Sequence, residues 1–292
     1  MLFLLFGSCL GLQAQDFTYQ TFKDTRVINV HSVETLAKNR LDVRIAHRFG
    51  DFAGDNGGWA TFYGLENASD VGIGAEYGIS NRLTVGLHRT KGAGVSAEGF
   101  AGLQQLLNGV GKFRLARQTT DGHTPFSATL LGVVSMSTQK KLEGDGTDNL
   151  IASFPKFMHR FAFHASLVLG RKFSDKFSFQ LLPAITHRNL VPFAGENNIF
   201  SLGAATRIQL SRTLGLVADA TFPFIDTPEG AVNSYQPAIG VGLEIETGGH
   251  VFQVNFTNAT GIMETDYIPY TTSDWTAGEF RLGFTISRWF NL

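Results

Sequence analysis

From Arg40 onward the apolar residues recur at every second position, and the breaks between these runs alternate between short and long. Side chains of an extended strand point alternately to opposite faces, so each run reads as a strand with one apolar face and one weaker, polar face. Leu41, Val43 and Ile45 show the pattern, as do Val71, Ile73, Ala75, Tyr77 and Ile79. Phe161, Phe163, Ala165, Leu167 and Leu169 repeat it, and near the end so do Phe280, Leu282, Phe284 and Ile286. The spacing predicts about twelve strands, near 40–49, 71–79, 83–90, 109–118, 125–136, 158–170, 176–187, 198–210, 213–223, 235–246, 249–258 and 278–290. Ser80-Asn81-Arg82, residues 119–124 and 173–175, Ser211-Arg212 and Thr247-Gly248 read as tight turns, with Asn, Asp or Gly where the backbone needs them. Residues 50–70, 91–108, 137–157, 188–197, 224–234 and 259–277 read as long links. In an up-and-down antiparallel barrel this alternation gathers all tight turns at one end and all long loops at the other, the layout of a transmembrane β-barrel.

A soluble sandwich or lipocalin-like barrel would share the alternation, because period two does not say which face points inward. Three features favour the membrane. A closed barrel of twelve strands is too wide for its own side chains to fill, so an apolar interior would leave a void. The weaker face carries Gly, Ser, Thr, Gln and scattered charge, which suits a wet lumen. Aromatics gather toward strand ends (Tyr77, Phe113, Phe126, Phe161, Phe177, Phe222, Tyr235, Phe290), as interfacial girdles require. The final run, Phe280 to Phe290, is expected to close the barrel by pairing antiparallel with the strand near 40–49.

Composition agrees. Charged residues make up 17%, below the roughly 25% usual for soluble domains. Lys plus Arg (24) balance Asp plus Glu (25), which argues against broad nucleic-acid binding. Met1 to Ala14 reads as a secretory signal, residues 15–39 as a periplasmic segment and residues 40–292 as the barrel. Cys9 offers a rival reading as a lipidated residue, though its flanks fit poorly. The mature chain then has no cysteine, and hence no disulfide or Cys-based zinc site. Ser32 is placed to cap a short helix through residues 33–37 at the periplasmic mouth, and Phe100, Leu103, Leu106 and Leu107 show helical spacing in a long loop, but ordinary loop packing is the favoured reading of both.

Several stretches are familiar. Thr25-Arg26-Val27-Ile28-Asn29 with Ser32-Val33-Glu34, then Leu41 to Gly50, resemble the start of a β-barrel family of Bacteroidota known only as a domain of unknown function. Residues 171–175, 187–192, 246–253 and 281–288 resemble its other marked stretches. The resemblance implies the outer membrane of a Gram-negative bacterium. It brings no activity and no catalytic residues.

The chemistry of the chain therefore rests on its own residues. His164-Ala165-Ser166 places a base and a hydroxyl on one strand face, as outer-membrane lipid hydrolases require. The parity puts the pair on the face opposite Phe163 and Leu167, away from lipid, so ordinary lumen polarity is favoured and no enzyme is expected. Asp121 and His123 fall in a tight turn. Asp145 and Asp148 among glycines hint at calcium but lack the spacing of a full calcium loop, so no metal or other cofactor is assigned.

By the same parity the lumen holds Arg44, Arg48, Lys112, Arg114, Arg160, Arg207 and Arg281 against Asp42, Glu76, Asp219, Glu244, Glu246 and Glu279. Such charges either set a transverse field across a water-filled pore or pair and largely close it. The dipeptide His-Arg occurs four times, at 47–48, 88–89, 159–160 and 187–188, each at the outer end of an expected strand. There His47, Arg89, His159 and His187 would face lipid, at the height of lipopolysaccharide phosphates; ordinary rim solvation is the blander reading. Passage or binding of a small solute through a polar lumen leads among the functions. A non-conducting accessory barrel of an envelope complex, with protein partners, is the alternative. A lipid-acting enzyme is the weaker one.

Overall fold

The computed structural model describes residues 16–144, 150–192 and 195–292. The expected signal at 1–14, with Cys9, and the Asp145–Asp148 loop lie outside the described residues. Twelve antiparallel strands form one closed up-and-down barrel. They are β1 (Arg40–Phe49), β2 (Ala68–Gly78), β3 (Leu83–Thr90), β4 (Leu106–Ala116), β5 (Ser127–Ser137) and β6 (Phe161–Lys172), then β7 (Phe177–Arg188), β8 (Asn198–Gln209), β9 (Leu214–Phe224), β10 (Ala238–Thr247), β11 (His250–Thr257) and β12 (Arg281–Asn291). β12 closes the barrel on β1, with Arg40 opposite Asn291 and Ile45 opposite Ile286. Closure leaves no sheet edge, as a wall in hydrocarbon demands.

The outward parity is apolar all round. Ile45, Ile73, Leu87, Val134, Leu202, Val241 and Val254 are exposed on the outside, while their chain neighbours Arg44, His88, Ser135, Ser201 and Asn255 are buried within. Phe113, Phe126, Phe177, Phe222 and Phe290 of the expected girdle are likewise exposed. Tyr235 instead precedes β10, in the loop. Two irregularities interrupt the pairing, at Arg48/Phe49 against β2 and at Arg114/Ala116 against β5.

Neither segment with a helical option forms a helix. No helix follows Ser32, because the segment takes its hydrogen bonds from the barrel wall instead of from its own carbonyls. No helix forms at residues 100–107 either, since Leu106 already begins β4 and Leu103 packs with Ile151 and Phe154. The segment before β1 does not stay at the mouth. Phe22, Val27, Ile28, Val30 and Val33 are buried among inward residues of the wall, including Val110, Leu131, Val133, Val168, Leu182 and Val217, and against Ile262 and Met263 of the β11–β12 loop. That loop carries one short α-helix, α1 (Glu264–Tyr267), fully buried, and a 3-10 turn at Trp275–Ala277. The molecule therefore has its core in the lumen.

Candidate functional site

Between Thr25 and Ser32 the chain folds into a tight loop. Val27 N–H donates to Val30 O at 2.9 Å, Ser32 N–H donates to Thr25 O at 2.8 Å, and Arg26 and His31 form a bridge. The tip of this loop meets Asp219 on β9. One carboxylate oxygen accepts from three successive backbone amides, Ile28 (2.9 Å), Asn29 (2.6 Å) and Val30 (3.2 Å), and the other accepts from Asn29 Nδ2 at 2.8 Å. Backbone amides converging in this way form an anion-binding concavity, filled here by a side chain of the wall. Across the lumen Arg48 donates to Asn29 Oδ1 at 2.7 Å and Thr257 to the same atom at 3.1 Å. Gly240 makes the approach possible, since a Cβ there would stand 2.7 Å from Ile28 Cγ2.

The rest of the segment is tied to nearly every side of the barrel. Asp24 receives both terminal nitrogens of Arg44 on β1, and Ser287 Oγ of β12 at 3.1 Å. Lys112 Nζ donates to Thr25 O at 3.1 Å. Gln253 Nε2 donates to Val27 O, and Gln180 Nε2 to His31 O at 2.8 Å while its Oε1 accepts from Val33 N–H at 3.0 Å. Thr129 Oγ1 donates to Val33 O at 2.7 Å, and Leu36 N–H to Thr84 Oγ1 at 2.9 Å. The segment is a plug whose backbone is read by wall side chains.

A second insertion comes from the long-loop end. Asp70 Oδ2 accepts from Ile262 N–H at 2.9 Å, and Asp266 accepts from Ala93 N–H and Gly94 N–H, each at 3.0 Å. Arg48 Nη1 donates to Ala259 O at 3.2 Å. The two insertions meet in mid-lumen: Arg26 Nη2 donates to Ile262 O at 2.9 Å, and Glu264 Oε1 stands 2.7 Å from His31 Nδ1 and 3.5 Å from Arg26 Nη2. Burial pushes the Glu264 carboxyl up, but His31 and Arg26 outweigh it and hold it well below the ordinary carboxylate range. At Asp266 burial, with Asp70 adding to it, outweighs the backbone amides and Arg48 and pushes the carboxyl up to about 7. A void of about 30 Å³ remains at the junction, beside Arg26, Arg44, Arg48 and His88. That is room for about one water.

Of the two readings of the lumen, the water-filled pore gives way to a closed one. The chain fills the lumen itself, because inward polar groups that would have bound water bind main-chain amides and carbonyls instead. Of the expected lumen charges, Arg44, Arg48, Glu76, Lys112, Arg207, Asp219, Glu244 and Arg281 are buried inside. Arg44, Arg48, Lys112 and Asp219 hold the plug, while Arg207 Nε on β8 donates to Glu244 on β10 at 2.7 Å. Glu76 lies beside His88 Nε2 (3.3 Å) and His31 Nε2 (3.8 Å), and Arg281 donates to Asn258 O. Three lie nearer the ends: Arg114 donates to Thr35 O at 3.3 Å, Glu246 pairs with Lys23 at 2.7 Å, and Arg160 sits 4.2 Å from the Phe154 ring centre. Sequence parity found the wall half of this network and missed Asp24, Arg26, Asn29, His31, Glu264 and Asp266. The available signal was slight: Ala259 to Tyr270 carries Ile262, Met263, Tyr267, Ile268 and Tyr270, more than a solvated link needs, whereas Phe22 to Leu36 is no more apolar than the chain as a whole.

The remaining candidates separate. His164 and Ser166 are buried inside, His164 Nδ1 lying 2.9 Å from Thr186 Oγ1 and away from lipid. Asp121 accepts from His123 N–H at 2.9 Å within its turn. Among the described residues no group of three or more His, Cys, Asp or Glu is placed to hold a metal. Of the four His-Arg pairs, three end strands. His159-Arg160 instead lies in a 3-10 turn (Phe157–Arg160) ahead of β6, where His159 Nδ1 accepts from Lys156 N–H at 3.2 Å. His47 stacks on Phe284 with centroids 5.5 Å apart, Arg89 donates to Gln105 O and Thr138 Oγ1, and His187 contacts Asn189 and Asn198.

Comparison with known proteins gives a family and a set of barrels. The family described as "Membrane bound beta barrel domain (DUF5777)" matches residues 22–290. No curated protein matches the chain. Among solved structures, a KdgM porin is 8% identical over 85% of this chain and 98% of its own, with a TM-score of 0.49. The COG4313 outer membrane channel from Pseudomonas putida F1 is 14% identical over 88% and 98%, with a TM-score of 0.46. Omp33 of Acinetobacter baumannii is 10% identical over 87% and 99%, with a TM-score of 0.40.

Proposed function

The chain belongs to this family of membrane-bound β-barrel domains, and from that premise we propose a plugged outer-membrane barrel through which a small solute passes when the plug yields. We assign it to the outer membrane of a Gram-negative bacterium of the Bacteroidota, with the tight turns in the periplasm and no catalytic role. The observation that carries the gated reading is the chemistry of the contact at Asp219, Arg44 and Arg48. Replacing buried ionic contacts with packed apolar groups is often neutral or stabilising, so permanent closure has no need of charge. Wall groups that alternately meet water and a plug backbone do need it. The outward Arg89, His47, His159 and His187 are proposed to meet lipopolysaccharide phosphates.

Planar-bilayer recording tests the gate. The full chain should be almost silent at low voltage, and the double variant Asp24→Asn/Asp219→Asn should show discrete openings. A variant that inserts normally and stays silent would favour the second reading, a non-conducting accessory barrel with envelope-protein partners. That reading is supported by the mid-lumen contacts of Glu264 with Arg26 and His31.

A further inference from the structure

At the tight-turn mouth, between the plug and the ends of β1, β3 and β4, lies a cavity of about 700 Å³. That is within the range of about 300–1,000 Å³ occupied by small-molecule sites. Four arginines line it, Arg40, Arg82, Arg114 and Arg117, against one carboxylate, Glu34. Glu34 is already engaged, accepting from Thr21 N–H at 2.7 Å and Phe22 N–H at 3.3 Å. None of the four guanidiniums takes part in an ion pair among the described residues.

Their hydrogen bonds are long and go to neutral acceptors, and Arg40 and Arg117 also lie over the Trp289 and Phe17 rings, 5.1 Å from each centroid. Arg114 donates to Asn81 O at 3.2 Å and to Thr35 O at 3.3 Å, Arg117 to Thr18 O at 3.2 Å, and Arg40 to Asn291 Oδ1 at 3.3 Å. Arg82 is exposed and its guanidinium has no hydrogen-bond partner among the described residues. A concave site lined by one sign of charge concentrates the opposite sign. Guanidiniums bind phosphate and carboxylate through two parallel N–H···O bonds and with full charge complementarity, which a single neutral carbonyl does not offer.

We propose that this cavity binds a small multivalent anion bearing phosphate or carboxylate groups, free or as the headgroup of an anionic lipid of the adjoining leaflet. Two of the carbonyls now bound by these arginines, at Thr18 and Thr35, belong to the segment leading into and out of the plug. An anion that takes Arg114 and Arg117 away from them loosens the plug at both ends. This coupling rests on the gated reading; the binding itself does not.

The test uses the full chain in zwitterionic nanodiscs, titrated with inorganic pyrophosphate by calorimetry. Saturable binding is expected, weakened about tenfold, or by ~1.4 kcal/mol, in Arg82→Gln/Arg117→Gln. Heat-modifiable migration on gels reports whether the variant barrel is intact. Arg82→Gln alone, at a guanidinium without a hydrogen-bond partner among the described residues, serves if the double variant fails to fold. In nanodiscs containing phosphatidylglycerol, blocked pyrophosphate binding identifies the lipid headgroup as occupant, and undiminished binding identifies a free anion. Equal binding by wild type and variant overturns the site. So does the absence of binding together with no arginine-dependent retention of phosphatidylglycerol. Binding that leaves amide exchange at Thr18 and Thr35 unchanged overturns the coupling alone, whereas failure of the gated reading shows separately in the bilayer recordings.

Discussion

Asp219 of the barrel wall accepts the main-chain amide of Asn29 at 2.6 Å, and the same oxygen also takes the amides on either side. One carboxylate thereby fixes the tip of a segment 190 positions away in sequence. Asp219→Asn keeps the shape but turns one acceptor into an NH2 group facing N–H donors. Hydrogen bonds to charged groups are worth about 1.5–3 kcal/mol each, so the tip should loosen by at least about one such bond. Amide exchange at residues 27–31 should accelerate strongly, with that of the β1 and β12 amides unchanged. Protection at 27–31 equal to wild type would refute the role given to Asp219.

Glycines in the wall are not equivalent. A Cβ at Gly240 meets Ile28, Asn29 and Asp219 within 3.0 Å, whereas at Gly132 nothing lies within 4 Å. Gly240→Ala should displace the plug tip at a cost of about 1–3 kcal/mol, the usual scale of overpacking. Gly132→Ala should be close to neutral. Thermal unfolding of the two variants in the same detergent checks the contrast.

The outer face has its own test. Ile73, midway along β2 and 56% exposed, points away from the lumen. Ile73→Lys should cost about 2–4 kcal/mol in a bilayer, as a charge near the midplane does. The same substitution should matter less in a mild detergent, where the head can reach water. Equal penalties in both media would argue against lipid contact at this position.

Closure depends on the last strand. Removing residues 278–292 takes away β12 and leaves unpaired the edges of β1 and β11 that faced it. Membrane assembly, read as protease-protected barrel in the membrane fraction, should be abolished.

The inserted loop should respond to pH. The Asp266 carboxyl, raised from about 4 when free to about 7 in place, favours docking of the loop in its protonated form. Its contribution is fully present below about pH 4 and is lost as pH rises through 7. Protection factors of residues 261–268 should therefore be higher at pH 5 than at pH 8. Asp266→Asn, which stays neutral, should flatten that difference.

The wall was legible in the sequence because period two leaves a mark at each position: Ile45 against Arg44, Phe163 against His164, Leu282 against Arg281. What fills the barrel was not, because Asp24 to Ser32 has no periodicity and takes its shape from partners such as Gln180 and Asp219, far away along the chain. Parity set Val168 inward with His164 and Ser166, but the expected polarity of the inward face does not hold in one sector. Leu131, Val133 and Val168 point inward, which a wet lumen would disfavour and a packed plug uses. The four His-Arg dipeptides were visible as a pattern, yet one of them belongs to a turn, since the strand after it begins only at Phe161.

Asp24 touches Arg44 of the first strand and Ser287 of the last. The seam of the barrel and the seating of the plug consequently share a residue, and each makes the other more favourable. Because Asp24 and Ser287 are separated by almost the whole chain, their contact carries a large loop-closure entropy and belongs among the last to form. Assembly should then end in one cooperative step, in which an unzipped seam and an empty lumen disappear together rather than in sequence.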